Sequence, residues 1–237
     1  MSGLRLAIKQ PYFFPWIGFW QELYAVDKFV IYDDVNYIKR GWINRNRILF
    51  NREPRYFNLI LSEASQNKLI NEISIISTEK EIHRNCCILH DAYRKAPYYK
   101  DVYPIIEEIL RCGEDNLACY LLIQIKTICD YLGINTELLM SSEIKKDNSL
   151  KAQDKILEIC KILGADSYID SMGATELYSK EVFKSNNINL FFLDTDTEGI
   201  AYKQFDHEYI GSLSIIDVMM FNPIERIRDY LGMYTLK

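Results

Sequence analysis

Two groups of side chains in the first fifty residues have the types and spacing for chemistry. Asp33-Asp34 ends a β-branched, aromatic run, Phe29-Val30-Ile31-Tyr32. Tyr37-Ile38-Lys39-Arg40-Gly41-Trp42-Ile43-Asn44-Arg45-Asn46-Arg47 follows almost at once. A carboxylate can take a proton, accept from a sugar hydroxyl or ligate a metal. Guanidinium forks bind phosphate oxygens in pairs, and a lysine adds a point charge. Trp42 offers a face to a base or a sugar ring. Gln10 and Tyr12, in the turn after a first apolar run, have the polarity of a ligand wall. Together these types suit an anionic, ring-bearing ligand such as a nucleotide-linked sugar.

Each group also has a plainer reading. The cationic run could be a solvated face, and Asp33-Asp34 a turn or helix cap. Phe13, Phe14 and Phe19 have the character of core residues. Adjacent strand residues point to opposite faces, so one of the two aspartates at most enters a site. Charge balance favours the ligand reading for the cationic run. Between Lys39 and Arg55 six basic residues (Lys39, Arg40, Arg45, Arg47, Arg52 and Arg55) stand against Glu53, in a chain whose net charge is −5. A cationic segment on an acidic protein points to a specific anion more than to bulk polyanion. Nucleic acid is the rival, since basic residues interleaved with aromatics bind single strands; the acidic total weighs against it.

The three histidines are His83, His90 and His207. His83 and His90 fall two helical turns apart, but two histidines without a third ligand make a poor zinc site, and no metal is expected. His90 precedes a polar, aromatic stretch and joins Asp33 and Asp34 as a candidate proton acceptor. Ser171-Met172-Gly173-Ala174 lies between a strand and a helix, where backbone N–H groups can meet an anion. Gly173 therefore joins the binding candidates, with Tyr168, Asp170 and Tyr178 near the same cleft. The full binding set is Gln10, Tyr12, Lys39, Arg40, Trp42, Asn44, Arg45, Asn46, Arg47 and Gly173.

These side chains need a scaffold. Leu4 to Ile8 reads as a buried strand, Trp16 to Val26 has helical spacing, and Phe29 to Tyr32 is a second strand. That is a βαβ unit. A hairpin is expected with strands over 47–51 and 55–61 around a turn at Asn51-Arg52-Glu53-Pro54, then a strand over 69–76, and helices over 79–94, 101–111 and 115–132. Strands at 137–140, 167–170 and 190–193 alternate with helices at 150–163 and 175–185, and helices at 213–221 and 223–231 close the chain. The sum is one α/β domain with a parallel-type sheet and a helical insert over about 79–132. No Walker loop, G-x-G-x-x-G or G-x-S-x-G is present, which argues against simple kinases, NAD dehydrogenases and α/β hydrolases. The six cysteines form no C-x-x-C pair and read as small apolar residues of a reduced compartment. No apolar run approaches the ~18–20 residues of a membrane helix, and a cytoplasmic protein is expected.

Several segments resemble the WbqC-like family. They are Gln10-Pro11-Tyr12-Phe13-Phe14-Pro15, Tyr32-Asp33-Asp34-Val35, the run from Tyr37 to Asn46, Ser65-Gln66-Asn67-Lys68-Leu69-Ile70, Tyr168-Ile169-Asp170-Ser171 and Leu213-Ser214-Ile215-Ile216-Asp217. The resemblance implies a role among bacterial genes for O-antigen and other surface polysaccharides. The first strand, loop and helix are also similar to the nucleotidylyltransferase-like superfamily, which implies a Rossmann-like core. Those enzymes carry H-x-G-H at the helix start; Pro15-Trp16-Ile17-Gly18-Phe19 holds no histidine, so the likeness speaks to fold and not to nucleotidyl transfer. The expectation is acyl or aminoacyl transfer to the amine of a nucleotide-linked amino sugar, with acyl-CoA, an acyl carrier and an aminoacyl-tRNA all open as donors. A non-catalytic binder of sugar nucleotides or glycans and a glycosyltransferase are the alternatives; a homo-oligomer is open.

Overall fold

The computed structural model describes residues 3–237. The chain opens with β1 (Arg5–Lys9), α1 (Ile17–Ala25) and β2 (Lys28–Ile31). A hairpin, β3 (Arg45–Phe50) and β4 (Glu53–Asn58), and a small pair, β5 (Leu61–Ser62) and β6 (Ser74–Ile75), follow. Next come α2 (Glu79–Tyr93), α3 (Tyr99–Leu110) and α4 (Leu117–Leu132). The chain then alternates through β7 (Glu137–Met140), α5 (Ala152–Leu163), β8 (Ser167–Ser171), α6 (Lys180–Ser185) and β9 (Asn189–Thr195). It ends with α7 (Ile215–Phe221), α8 (Ile224–Leu231) and β10 (Tyr234–Leu236).

The central sheet runs β10-β9-β8-β1-β2-β7, parallel except for β10. Strand alternation sends Leu6, Ile8, Val30, Tyr168, Leu190 and Phe192 to one face, against Ile156, Cys160 and Phe183 of α5 and α6. Ala7, Phe29, Ile31, Ile169 and Leu193 face the other layer, built from α1, α7, α8 and the helices of 79–132. A parallel sheet covered on both faces needs such apolar strands. From β1 the chain winds out through β2 to β7, then crosses back to β8 and β9. The winding direction therefore reverses between β1 and β8. Ligands of open α/β sheets sit outside the strand ends at such a point.

Glycines at φ 74° (Gly133) and φ 69° (Gly164) end α4 and α5 in the left-handed region, as glycine after a helix allows. At the hairpin tip Asn51 and Arg52 both take positive φ (51° and 68°), the conformation of a tight two-residue turn. Pro54 accordingly lies inside β4 rather than in the turn.

Three stretches depart from the sequence reading. The strand expected over 69–76 is a 3-10 turn, Ile70–Glu72, followed by the two residues of β6, because the Glu72 carboxylate accepts the Leu69 N–H at 2.8 Å and closes the chain on itself. The helix expected over 175–185 starts only at Lys180, where Ser179 accepts from the Val182 N–H. β10 had no counterpart in the sequence reading; its three residues find their partner in β9 at the sheet edge. Behind the sheet, Asp217 of α7 gathers the Tyr93 and Tyr202 hydroxyls at 3.0 and 2.8 Å and the Gln204 amide at 2.6 Å. Among the described residues no helix is long and apolar enough to cross a membrane.

Candidate functional site

β1 ends at Lys9, and its parallel neighbour β8 ends at Asp170 and Ser171. The Lys9 ammonium donates to Asp170 and, at 2.8 Å, to the Ser171 hydroxyl. It also lies 3.2 Å from Glu22 Oε2. Glu22 comes from α1, a nine-residue helix with eight residues buried. Its neighbour Gln21 is spent inside the fold: the amide donates to the carbonyls of Tyr230 (2.7 Å) and Met233 (3.0 Å), and Oε1 accepts from the Thr195 hydroxyl. Asp170 is likewise satisfied, accepting from the Tyr168 hydroxyl at 2.8 Å and the Ser171 N–H at 2.7 Å. Glu22 Oε2 is not. Its contact with Lys9 is an ion pair without hydrogen-bond geometry, and it has no hydrogen-bond partner among the described residues.

This cluster places two carboxylates, 4% and 5% exposed, around one ammonium. Charges removed from water must be balanced or neutralised. Burial pushes the Glu22 carboxyl up to about 8; Lys9 opposes the rise and the negative charge of Asp170 adds to it. Burial disfavours the Lys9 charge, but the two carboxylates outweigh it and raise its pKa above the usual lysine value. Lys9 thus stays an ammonium, and Glu22 is the group that exchanges a proton near neutrality. A carboxyl tuned to that range and lining a cavity can serve as acid or base.

Lys9, Glu22, Ser171 and Gly173 line a cavity of about 360 Å³, walled by Tyr12 and Trp16. A cavity of about 390 Å³ on the other side of Lys9 is lined by Gln10, Tyr12, Tyr32, Asp170 and Tyr178. A third, of about 200 Å³, lies between Tyr12, Trp16, Trp42, Asn46 and Arg47. Tyr12 and Trp16 are common walls of the first and third. The Trp16 indole can lie where it does because residue 18 is glycine; a Cβ there would stand 2.4 Å from the ring.

The loop carrying Tyr12 and Trp16 has no regular partner, so side chains satisfy its backbone. The Asn46 amide donates to the carbonyls of Phe13 (3.1 Å) and Phe14 (2.9 Å), and the Ser214 hydroxyl to Phe14 O at 2.8 Å. Gln124 of α4 accepts from the Phe14 N–H at 2.9 Å and donates to Tyr12 O at 3.1 Å. Phe14 itself is held at φ 41°. Such strain persists where the surroundings fix it.

The cationic run divides in this setting. Arg47 lines the third cavity; it donates to Ser212 O at 3.1 Å and lies 5.8 Å from the Trp42 ring. Its Nε is buried without a partner among the described residues. Trp42 and Asn46 line the same cavity. Arg45 instead braces its own turn, donating to the carbonyls of Gly41 (3.0 Å) and Arg40 and covering the Tyr56 ring. Asn44 accepts from the Tyr37 hydroxyl at 2.8 Å and donates to Leu59 O at 3.0 Å. Lys39 and Arg40 are exposed in that turn.

The candidate acids and base lie apart from Lys9 and Glu22. Asp33 is fully buried and accepts from the Asn71 amide at 3.1 Å and the Ser142 N–H at 2.9 Å. Asp34 pairs with Lys146 at 2.7 Å and Lys155 at 3.7 Å. Burial works against its charge, but the Lys146 hydrogen bond and the two ammonium charges hold it below the usual carboxylate value. His90 is exposed on α2, bonded to the Tyr99 hydroxyl at 2.9 Å. Sequence reasoning passed over Lys9, Glu22 and Lys155. The one available signal was an acid within an otherwise apolar helical stretch, Ile17-Gly18-Phe19-Trp20-Gln21-Glu22-Leu23.

A mostly parallel sheet covered on both faces, with a polar cleft over its strand ends walled by aromatics, defines a doubly wound α/β protein. The chain belongs to the WbqC-like protein family, whose model matches residues 10–229. It is 27% identical over 230 residues to the uncharacterized protein Rv1507c of Mycobacterium tuberculosis, covering 96% of this chain and 97% of that one. No solved structure matches it.

Proposed function

We propose that the protein transfers an acyl or aminoacyl group to the amine of a nucleotide-linked amino sugar. Membership of the WbqC-like family suggests a role in polysaccharide-associated biosynthesis. The observation that carries the reading is that Tyr12 and Trp16 are walls of both the Arg47–Trp42 cavity and the Lys9–Glu22 cavity. One ligand can therefore place an anionic, ring-bearing part at one end and an amine at the other. The strand order, that of doubly wound nucleotide-binding sheets, supports a nucleotide. The missing histidines at Pro15–Phe19 keep nucleotidyl transfer out of the reading.

In this reading Arg47 holds phosphate oxygens, with Lys39 and Arg40 at the rim, and Trp42 covers a ring. The sugar crosses Tyr12 and Trp16, and its ammonium meets Glu22. An incoming cation favours the ionised carboxylate, which takes the proton. The freed amine attacks the acyl carbon; the C–N bond forms and the bond to the donor's sulfur or oxygen breaks. Glu22 releases this first proton to solvent, takes the second proton that the nitrogen loses as the amide forms, and passes that one to the departing thiolate or alkoxide. Alignment of amine and acyl carbon supplies most of the acceleration.

Calorimetry with a panel of nucleotide-linked amino sugars, then incubation with acyl donors and mass spectrometry, tests this. Binding with a mass gain of one acyl group is expected. Binding without gain from any donor would leave a carrier of sugar nucleotides, and absence of binding would remove the substrate class.

A further inference from the structure

We propose that the cavity beside Asp34 is a second anion site, which takes the diphosphate of an activated acyl thioester; the anion site stands alone, and the identity of its occupant rests on the acyl-transfer reading. The cavity, about 550 Å³, is lined by Tyr32, Asp34, Asn148, Lys151 and Lys155 among others. Two ammonium groups share one carboxylate here. Lys146, 1% exposed, is complete: it holds Asp34 at 2.7 Å and donates to the Ser141 and Ile144 carbonyls. Lys155 is not. Its side chain is 8% exposed, its nearest carboxylate oxygen is 3.7 Å away and already bonded to Lys146, and its ammonium makes no hydrogen bond among the described residues. Its other neighbour is the Tyr32 ring, 5.5 Å from the nitrogen.

The Lys155 ammonium opens on the cavity with donors free for an acceptor that enters it; the buried carboxylate atom left without a hydrogen-bond partner in this cluster, among the described residues, is Asp34 Oδ1. The acceptor that restores both charge and hydrogen bonds is an oxyanion with several oxygens. Lys151, at the N-terminal end of the twelve-residue α5, lines the same cavity and caps no backbone N–H with its side chain. The helix dipole adds to the attraction. Of the two lysines on this wall, Lys155 is largely withdrawn from solvent and Lys151 is exposed, so the attraction falls as salt rises, mostly through Lys151.

The position selects the occupant. Tyr32 also walls the cavity of Gln10, Asp170 and Tyr178, which contains Lys9. A diphosphate on Lys155 lets the rest of its molecule pass Tyr32 toward the strand ends, where the sugar amine is expected. The nucleotide sugar would come from the Trp42 side and the thioester from the Lys155 side. The acyl carbon then lies between two phosphate sites.

Calorimetry with inorganic pyrophosphate and with coenzyme A, on the full-length protein and its variants, tests the proposal. Both probes are expected to bind. Lys155→Gln should weaken each by roughly tenfold or more, the worth of one charge-assisted contact. Lys155→Arg should keep most of the affinity, Lys151→Gln should weaken it less, and Lys203→Gln, at an exposed lysine outside the cavities, should leave it unchanged. Unchanged affinity in Lys155→Gln, with its melting curve intact, would overturn the anion site. Loss confined to Arg47→Ala would also overturn it by moving the diphosphate to the Trp42 cavity. Pyrophosphate binding without coenzyme A binding would overturn the thioester assignment. Nucleotide-sugar affinity should not change in Lys155→Gln, so failure here is separable from failure of the acyl-transfer reading, which would show as no nucleotide-sugar binding by the unaltered protein.

Discussion

The strand ends hold two buried ion clusters of opposite balance. At β1 and β8 one lysine serves two carboxylates; beside β2 and α5 two lysines serve one. The first is balanced near neutrality only because Glu22 keeps a proton. The second has no such remedy inside the protein, since Asp34 is held ionised. An excess of acid can be relieved by a proton from solvent, whereas an excess of ammonium near neutral pH is relieved by an anion. The two clusters thus ask for different company: an amine at Glu22, an oxyanion at Lys155.

The harshest way to break this contrast is Lys9→Met, which leaves two enclosed carboxylates without a cation. Removing one partner of a buried ion cluster costs about 3–5 kcal/mol. Urea unfolding should register a loss in that range, and a loss under about 1 kcal/mol would mean the lysine does not hold the cluster. Next in size is the pH response of Glu22→Gln. Folded Glu22 keeps its proton to about pH 8, while the unfolded chain releases it near the ordinary value of 4.5. Its contribution to stability is therefore full below about 4.5 and is lost as pH rises through 8, at no more than ~1.4 kcal/mol per pH unit. Unfolding from pH 5 to 9 should show a flatter profile in the variant. Asp34→Asn should show the reverse sign, because a lowered carboxyl stabilises above its unfolded value and loses that contribution as pH falls.

A smaller effect is expected of Gly18→Ala. The added methyl would displace the Trp16 ring and cost about 1–3 kcal/mol, as overpacking does. Melting temperature reads the cost, and loss of nucleotide-sugar affinity reads the displaced wall. Smallest of all is Lys155→Met. Asp34 keeps Lys146, so thermal unfolding should change by less than about 1 kcal/mol in either direction. A loss as large as that of Lys9→Met would show that Lys155 supports the fold rather than serving an anion.

The strands were legible where short apolar runs end in polar residues, as at Phe29–Tyr32 and Glu137–Met140. Residues 69–76 carry the same apolar spacing, but one glutamate folds back on its own backbone and cancels it. Within the candidate site, aromatic and cationic content singled out Tyr12, Trp42 and Arg47, which line one cavity. It did not separate Arg47 from Arg45, because a guanidinium donates as readily to a turn carbonyl as to a phosphate. Asn46 posed the same ambiguity; the amide carries identical groups whether it meets a ligand or fastens the Phe13–Phe14 backbone. Glu22 was hidden for another reason. Its helix is apolar nearly all round, which marks it as buried, but nothing in the local pattern says that the acid faces the strand ends rather than solvent. Lys9 finds its main carboxylate 161 residues along the chain, a distance that local pattern does not span.

The placement of the tryptophans has a practical consequence. Trp20 is sealed in the core, while Trp16 borders three cavities and Trp42 one. Each indole therefore answers to a different environment, and two of the three would change emission when a compartment fills. The molecule carries a built-in optical gauge, able to show by intrinsic fluorescence whether a ligand has entered before any product is made.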